Sequence, residues 1–242
     1  MSVDPAARLA EVRQRIEGAA ARAGRDPDAI TLVAVTKKHP LALIQTAYDA
    51  GLRHFGENRV EEAGEKFTDL GDHLPEAVWH MIGHIQSRKT SDVAESRFRW
   101  VHSVDRYKIA RRLNDARPAD PLNVFFQANV SGEQSKYGYD LAGWPSNEAT
   151  FQRLVEDIQK AHQLDGLRIR GLMTLAPYSD NPEDARPTFR RLRHLRDALA
   201  ERLPEVDLGA LSMGMSADYE VAIEEGATHI RLGTAIFGAR QY

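Results

Sequence analysis

The chain has 242 residues, 42% of them hydrophobic and 28% charged, a composition that excludes a disordered polypeptide. Its formal charge of −3, from 32 basic and 35 acidic side chains, argues against a dedicated nucleic-acid binder. The absence of cysteine excludes disulfides, thiolate nucleophiles and cysteine metal sites.

Asp4 as N-cap and Pro5 at the first helical position predict an N-terminal helix within residues 1–25, with Leu9, Val12, Ile16 and Ala20 as its apolar stripe and Gly24 as its end. No basic flank leads into an apolar stretch there, and no apolar run approaches the ~18 residues of a membrane span, so a soluble cytoplasmic protein is expected. Short apolar runs then predict strands at 30–36, 54–56, 78–82, 98–103, 122–130, 167–175, 207–213 and 228–232. A helical pattern follows each strand: 40–50, a stretch from about 58, another after 86, then 105–115. The next two carry the stripes Phe151, Leu154, Val155, Ile158 and Phe189, Leu192, Leu195, Leu199, and the last are 217–225 and a turn after Gly233. Residues 131–146 read as a loop. Eight strand–helix units imply parallel strands with right-handed crossovers, and about 250 residues is typical of their closure into a (β/α)8 TIM barrel. The expectation is therefore an α/β fold in which 1–242 form one domain, with the helix at 1–25 and the barrel at 30–242.

The predicted strand ends carry residues that a plain core would not choose: Lys37, Asn58, His84, Asp105, Asn129, Thr174, Ser212 and Arg231 among them. Barrel sites are built on that face. Lys37 ends an apolar strand, where a lysine either snorkels to solvent or loses hydration and becomes a neutral amine able to attack an aldehyde. Pattern does not separate it from Lys38, which points to the opposite face of a strand expected to be apolar on both. Ser212, Met213 and Gly214 after the seventh strand, with Gly233 and Thr234 after the eighth, form a phosphate cup of backbone N–H groups and hydroxyls, a reading preferred here to an ordinary glycine turn. Arg231, inside the last strand, requires an anion or heteroatom partner. Asn58 is either a helix N-cap or a donor to a ring substituent. His80 and His84 lie about 13 Å apart on a strand, which speaks against a shared metal. The basic residues of 186–196 flank an apolar stripe and read as a solvated helix surface rather than an RNA site.

Taken together, residues 33–37, 55–58, 79–87, 102–105, 129–138, 170–177, 211–216 and 231–238 resemble the pyridoxal phosphate homeostasis protein family, which is similar to the barrel domain of bacterial alanine racemases. The most telling are Val33-Ala34-Val35-Thr36-Lys37, Phe55-Gly56-Glu57-Asn58, Leu211-Ser212-Met213-Gly214 and Arg231-Leu232-Gly233-Thr234. Lys38, His39 and Arg88, near the barrel mouth, depart from the usual pattern. The resemblance implies pyridoxal 5′-phosphate (PLP) held covalently as a Schiff base on Lys37. It also implies a phosphate cup of Ser212 and the Gly233 and Thr234 amides, with Asn58 and Arg231 close to the cofactor and no metal. Related racemases and decarboxylases carry a second, β-rich domain that supplies a catalytic tyrosine or cysteine, whereas this sequence reaches Tyr242 directly after its eighth unit. The resemblance therefore implies a PLP (vitamin B6) homeostasis protein with little or no turnover rather than an enzyme. The alternatives are a weak amino-acid racemase, another fold-type III PLP enzyme, or a barrel using Lys37 in aldolase-type chemistry. The expected partners are PLP itself and, transiently, PLP-dependent apo-enzymes. No nucleic acid or membrane is expected, and the chain is expected to be a monomer.

Overall fold

The computed structural model describes residues 4–70, 73–116, 120–133 and 135–238. Gln134, within one of the family-like segments, and Tyr242 lie outside these described residues. Helix α1 runs Pro5–Arg22. The Asp4 carboxylate accepts from the Ala6 N–H at 2.9 Å, and Gly24 leaves the helix at φ 63°, so both ends follow the expected capping chemistry. Leu9, Val12, Ile16, Ala19 and Ala20 are buried on one stripe, while Arg15 and Arg22 on another face reach Glu220 and Glu224.

The barrel elements are β1 Thr31–Val35, α2 Leu41–Asp49, β2 His54–Glu57, α3 Val60–Leu70, β3 Val78–Met81, α4 Thr90–Glu95, β4 Phe98–Val104, α5 Tyr107–Asp115 and β5 Leu122–Asn129. A two-residue strand β6, Tyr139–Asp140, precedes α6 Glu148–His162, β7 Leu167–Met173, α7 Arg186–Arg202, β8 Ala210–Ser212, α8 Tyr219–Glu224, β9 His229–Leu232 and α9 Thr234–Phe237. All pairings are parallel, in the order β4-β3-β2-β1-β9-β8-β7-β5 with β4 also paired to β5, which closes a ring of eight strands. This is the (β/α)8 barrel expected from the alternation.

Three details differ from the sequence expectation. The loop at 131–146 contains β6, paired to β5 outside the ring and tied to α6 by the Tyr139 hydroxyl, which donates to Asp157 at 2.7 Å. Two residues are too short to show a period. The seventh barrel strand shrinks to Ala210–Ser212 because Asp207 turns the chain, its carboxylate accepting from Gly209 N. The helix after Gln86 opens as a 3-10 turn, Ser87–Lys89. In β7, Gly171 at φ 151° marks a bulge against β5; a Cβ there would lie 1.8 Å from Ala210 O, so only glycine lets the strands approach.

Strand side chains alternate between two cores. Ala34, Phe55, Trp79, Val101, Phe126 and Leu211 face outward into the apolar cluster beneath the helices. The inward face, expected only to be apolar, is largely built of rings, four of them imidazoles. His54, His80, Trp100, His102, Phe125 and His229 occupy it in ring-to-ring contact: His80 stacks on Trp100 (5.7 Å, 12°), and Trp100 on Phe125 (5.5 Å, 24°). His229 touches Trp100 and Phe125 at 4.9 and 5.1 Å. The pattern of apolar outward positions hid this, because each strand contributes only one or two of the inward rings.

Candidate functional site

Consecutive strands β2, β1, β9 and β8 place the sequence-predicted residues along one rim of the barrel. Lys37 stands in the turn after β1, half-buried, whereas Lys38 is exposed and takes φ 61°, a left-handed backbone unusual for a lysine. The turn is clamped from below. Thr36 Oγ1 and Lys66 Nζ donate to Glu57 Oε1 at 2.5 and 2.6 Å, and Lys66 Nζ also donates to Thr36 O at 2.7 Å and to Glu62 at 2.9 Å. Glu62 in turn accepts the Lys38 N–H. Glu57 is fully buried, and loss of hydration raises its pKa against the opposing pull of Lys66. Glu57 and Thr36 stood in segments singled out from the sequence, but Lys66, and the contacts that join the three, did not. The available signal was Lys66, a lysine on the buried stripe Ala63, Phe67, Leu70 of α3.

Asn58 lies at the end of β2, but α3 begins at Val60, so Arg59 holds the position before the helix. Asn58 lines a cavity of about 640 Å³ with His84, Arg88 and Lys89, which puts Arg88 at the entrance. Across the rim, His84 stacks on Tyr137 with centroids 3.7 Å apart, and its Nδ1 lies 3.1 Å from Asp105.

After β8, Gly214 takes φ 95°, and a Cβ there would meet the Ala222 Cβ at 2.6 Å. The Met213 side chain packs in the outer core, so Met213 offers only its backbone to the rim. The hydroxyl that meets the rim amides is that of Ser216, not Ser212: Gly233 N and Ala235 N both donate to Ser216 Oγ, at 3.3 and 3.2 Å. Thr234 is exposed and opens α9. Two amides converging on one oxygen form the donor set that a phosphate oxygen takes.

Ser212 and Arg231 lie deeper. Arg231 is aligned with Val33 of β1, below the rim, and only 4% exposed. Its Nη1 donates to Ser212 Oγ at 2.5 Å and its Nη2 to Thr174 O at 2.9 Å. Burial pulls its pKa down to about 10 against the favourable charge of Asp218, and no ion pair of Arg231 occurs among the described residues. Ser212 Oγ also meets His102 Nδ1 at 2.7 Å. Burial holds His80 and His102 well below the usual imidazole range and brings His229 to about 3. His80 and His102 bond to each other and His229 Nδ1 meets Thr228 Oγ1, so the nitrogens do not converge on a point, and no three His, Asp or Glu side chains among the described residues form a metal cluster.

The profile of the family described as "Alanine racemase, N-terminal domain" matches residues 8–241. A pyridoxal phosphate homeostasis protein of Pseudomonas aeruginosa is 48% identical over 97% of this chain and 95% of its own, and one of Escherichia coli is 46% identical over 99% and 98%. PipY of Synechococcus elongatus, solved with PLP bound, superposes with a TM-score of 0.81 at 36% identity over 97% of this chain and 100% of its own. An alanine racemase of Clostridium difficile shares the fold alone: TM-score 0.69 at 12% identity, with 57% of that chain covered. On near-full-length likeness and a shared barrel, the chain belongs to the pyridoxal phosphate homeostasis protein family.

Proposed function

We propose that this protein binds PLP at the β8–β9–β1–β2 rim, holds it as a Schiff base on Lys37, and serves PLP homeostasis with little or no turnover. The carrying observation is the full-length likeness to a structure solved with PLP bound. The residues fit the cofactor. The amides of Gly233 and Ala235 already converge on one oxygen, which suits a phosphate, and Thr234 and the Ser212–Met213–Gly214 backbone stand beside them. Lys37, half-buried in the turn after the neighbouring β1, is the amine, and Asn58 follows β2, the strand paired to β1. When bound, PLP supplies an aldehyde for the lysine and a conjugated ring able to withdraw electrons. The buried Arg231 can only donate hydrogen bonds, so a ring nitrogen facing it stays unprotonated and withdraws electrons weakly. That favours storage over α-carbon chemistry. In this reading the protein acts as a cytoplasmic monomer that passes PLP to apo-enzymes.

Purified protein mixed with PLP is expected to develop the visible absorption of a lysine-bound cofactor, and Lys37→Ala to lose it. Survival of the band in the variant would overturn Lys37 as the attachment point. The match to the alanine racemase N-terminal domain favours one second reading, a weak racemase. Exchange of the α-proton of amino acids in D2O, dependent on Lys37, would establish that reading; no exchange over the PLP-free control favours the carrier.

A further inference from the structure

The barrel interior holds a column of hydrogen bonds that ends at Arg231. His54 Nδ1 meets His80 Nε2 at 2.9 Å, His80 Nδ1 meets His102 Nε2 at 2.9 Å, and His102 Nδ1 meets Ser212 Oγ at 2.7 Å. Arg231 Nη1 closes the series on Ser212 Oγ at 2.5 Å. His80 and His102 are fully buried, with Trp100, Phe125 and His229 against them and the Arg231 cation beyond, countered by Asp218. These surroundings keep both imidazoles neutral.

A neutral imidazole has one N–H and one lone pair. His80 and His102 use both nitrogens within the column, so each donates at one end and accepts at the other. The proton positions are therefore a single variable: setting one sets all three rings. Arg231 can only donate, so Ser212 receives at least one N–H. If Ser212 then gives its own hydrogen to His102, every group in the column is satisfied and both buried rings are Nε2–H tautomers. The opposite polarity loads Ser212 with two donors and leaves its hydrogen to seek a third partner.

We propose that His102 is a positioning residue of the PLP site: by taking the Ser212 hydrogen it turns the serine lone pairs onto Arg231 and aims the guanidinium, while His80 and His54 lock its tautomer. The column's polarity stands on the hydrogen bonds alone; its service to PLP rests on the function proposed above.

Nitrogen NMR of 15N-histidine-labelled protein without PLP, assigned with His80→Gln, is expected to show Nε2–H tautomers for His80 and His102 at neutral pH. An Nδ1–H tautomer or an imidazolium at either ring would overturn the proposal. A variant pair reads the consequence. His102→Asn restores an acceptor, Oδ1, at the Nδ1 position, and His102→Phe does not. The phenylalanine variant is expected to retain PLP about tenfold more weakly than the parent, and the asparagine variant to recover most of that loss. Equal retention by His102→Phe and parent, with circular dichroism unchanged, sinks the positioning role. Should His102→Phe fail to fold, the tautomers of the parent still decide. If the parent develops no visible band with PLP, the PLP reading fails on its own, separately from the tautomer result.

Discussion

Lys66 carries the turn on which Lys37 stands. Its ammonium meets the Glu57 carboxylate, the Thr36 carbonyl and Glu62 from within the barrel wall, and removing it leaves Glu57 buried without a cation. Lys66→Met is therefore expected to cost about 3–5 kcal/mol, and adding Glu57→Gln to recover a large part of it, because the double variant removes the stranded charge. Urea unfolding of the two single variants and the double variant measures the coupling. At this scale the sequence showed Lys37, Gly214 and Arg231, since a lysine after an apolar strand, a glycine in a tight rim turn and an arginine inside a strand each stand out locally. It did not show His102 or Ser216 as partners. Their contacts join residues 110 apart for His102 and Ser212, and 17 or 19 apart for Ser216 with Gly233 and Ala235, which no local period encodes.

Among elements, the eight strand–helix units were legible because short apolar runs and 3.6-residue stripes alternate along the chain. The role of α7 was only half legible. Phe189, Leu192, Leu195 and Leu199 form its buried stripe as expected, but its basic face is not simply solvated. Arg186, Arg190 and Arg193 converge on the buried Glu225 at the end of α8, at 3.2, 2.9 and 2.9 Å. Glu225→Gln is expected to lower stability by about 2 kcal/mol, less than a fully buried pair because the arginines keep partial access to water. A fall in the urea midpoint with unchanged slope checks it. The β8–α8 connection makes a second case. Gly214→Ala asks a side chain to accept φ 95° and to share space with Ala222, and is expected to cost about 1–3 kcal/mol and to loosen PLP retention. Both effects should appear together in thermal melts with and without PLP.

For the whole molecule, the ring of strands encloses imidazoles held neutral, and this shapes acid stability. His54, His80, His102 and His229 all have pKa values below that of an unfolded imidazole, His229 at about 3. As pH falls the unfolded chain takes up these protons first, so their stabilisation is complete above about pH 6.5 and is lost on acidification. His229, at about 3, contributes a slope of about 1.4 kcal/mol per pH unit once the unfolded form is protonated, or about 2 kcal/mol lost by pH 5. Glu57, Asp105 and Asp218 are shifted upward and act in the opposite sense, gaining stability toward acid. Comparing His229→Asn with the parent cancels the carboxylates. The variant's stability should fall less steeply between about pH 4 and 5.5, by about 1.4 kcal/mol per unit, and parallel curves would show that His229 charges within the folded barrel.

The serial column within the barrel also bears on how this interior can change over generations. A replacement at His80 strands a nitrogen on His54 and another on His102, so most single steps lead downhill even where a joint replacement of the column would pack and pair well. Substitutions here behave as a block, and drift proceeds most readily from the ends, at His54 or at Ser212 with Arg231. The outer apolar layer, where volumes trade between neighbours, has no such order of events.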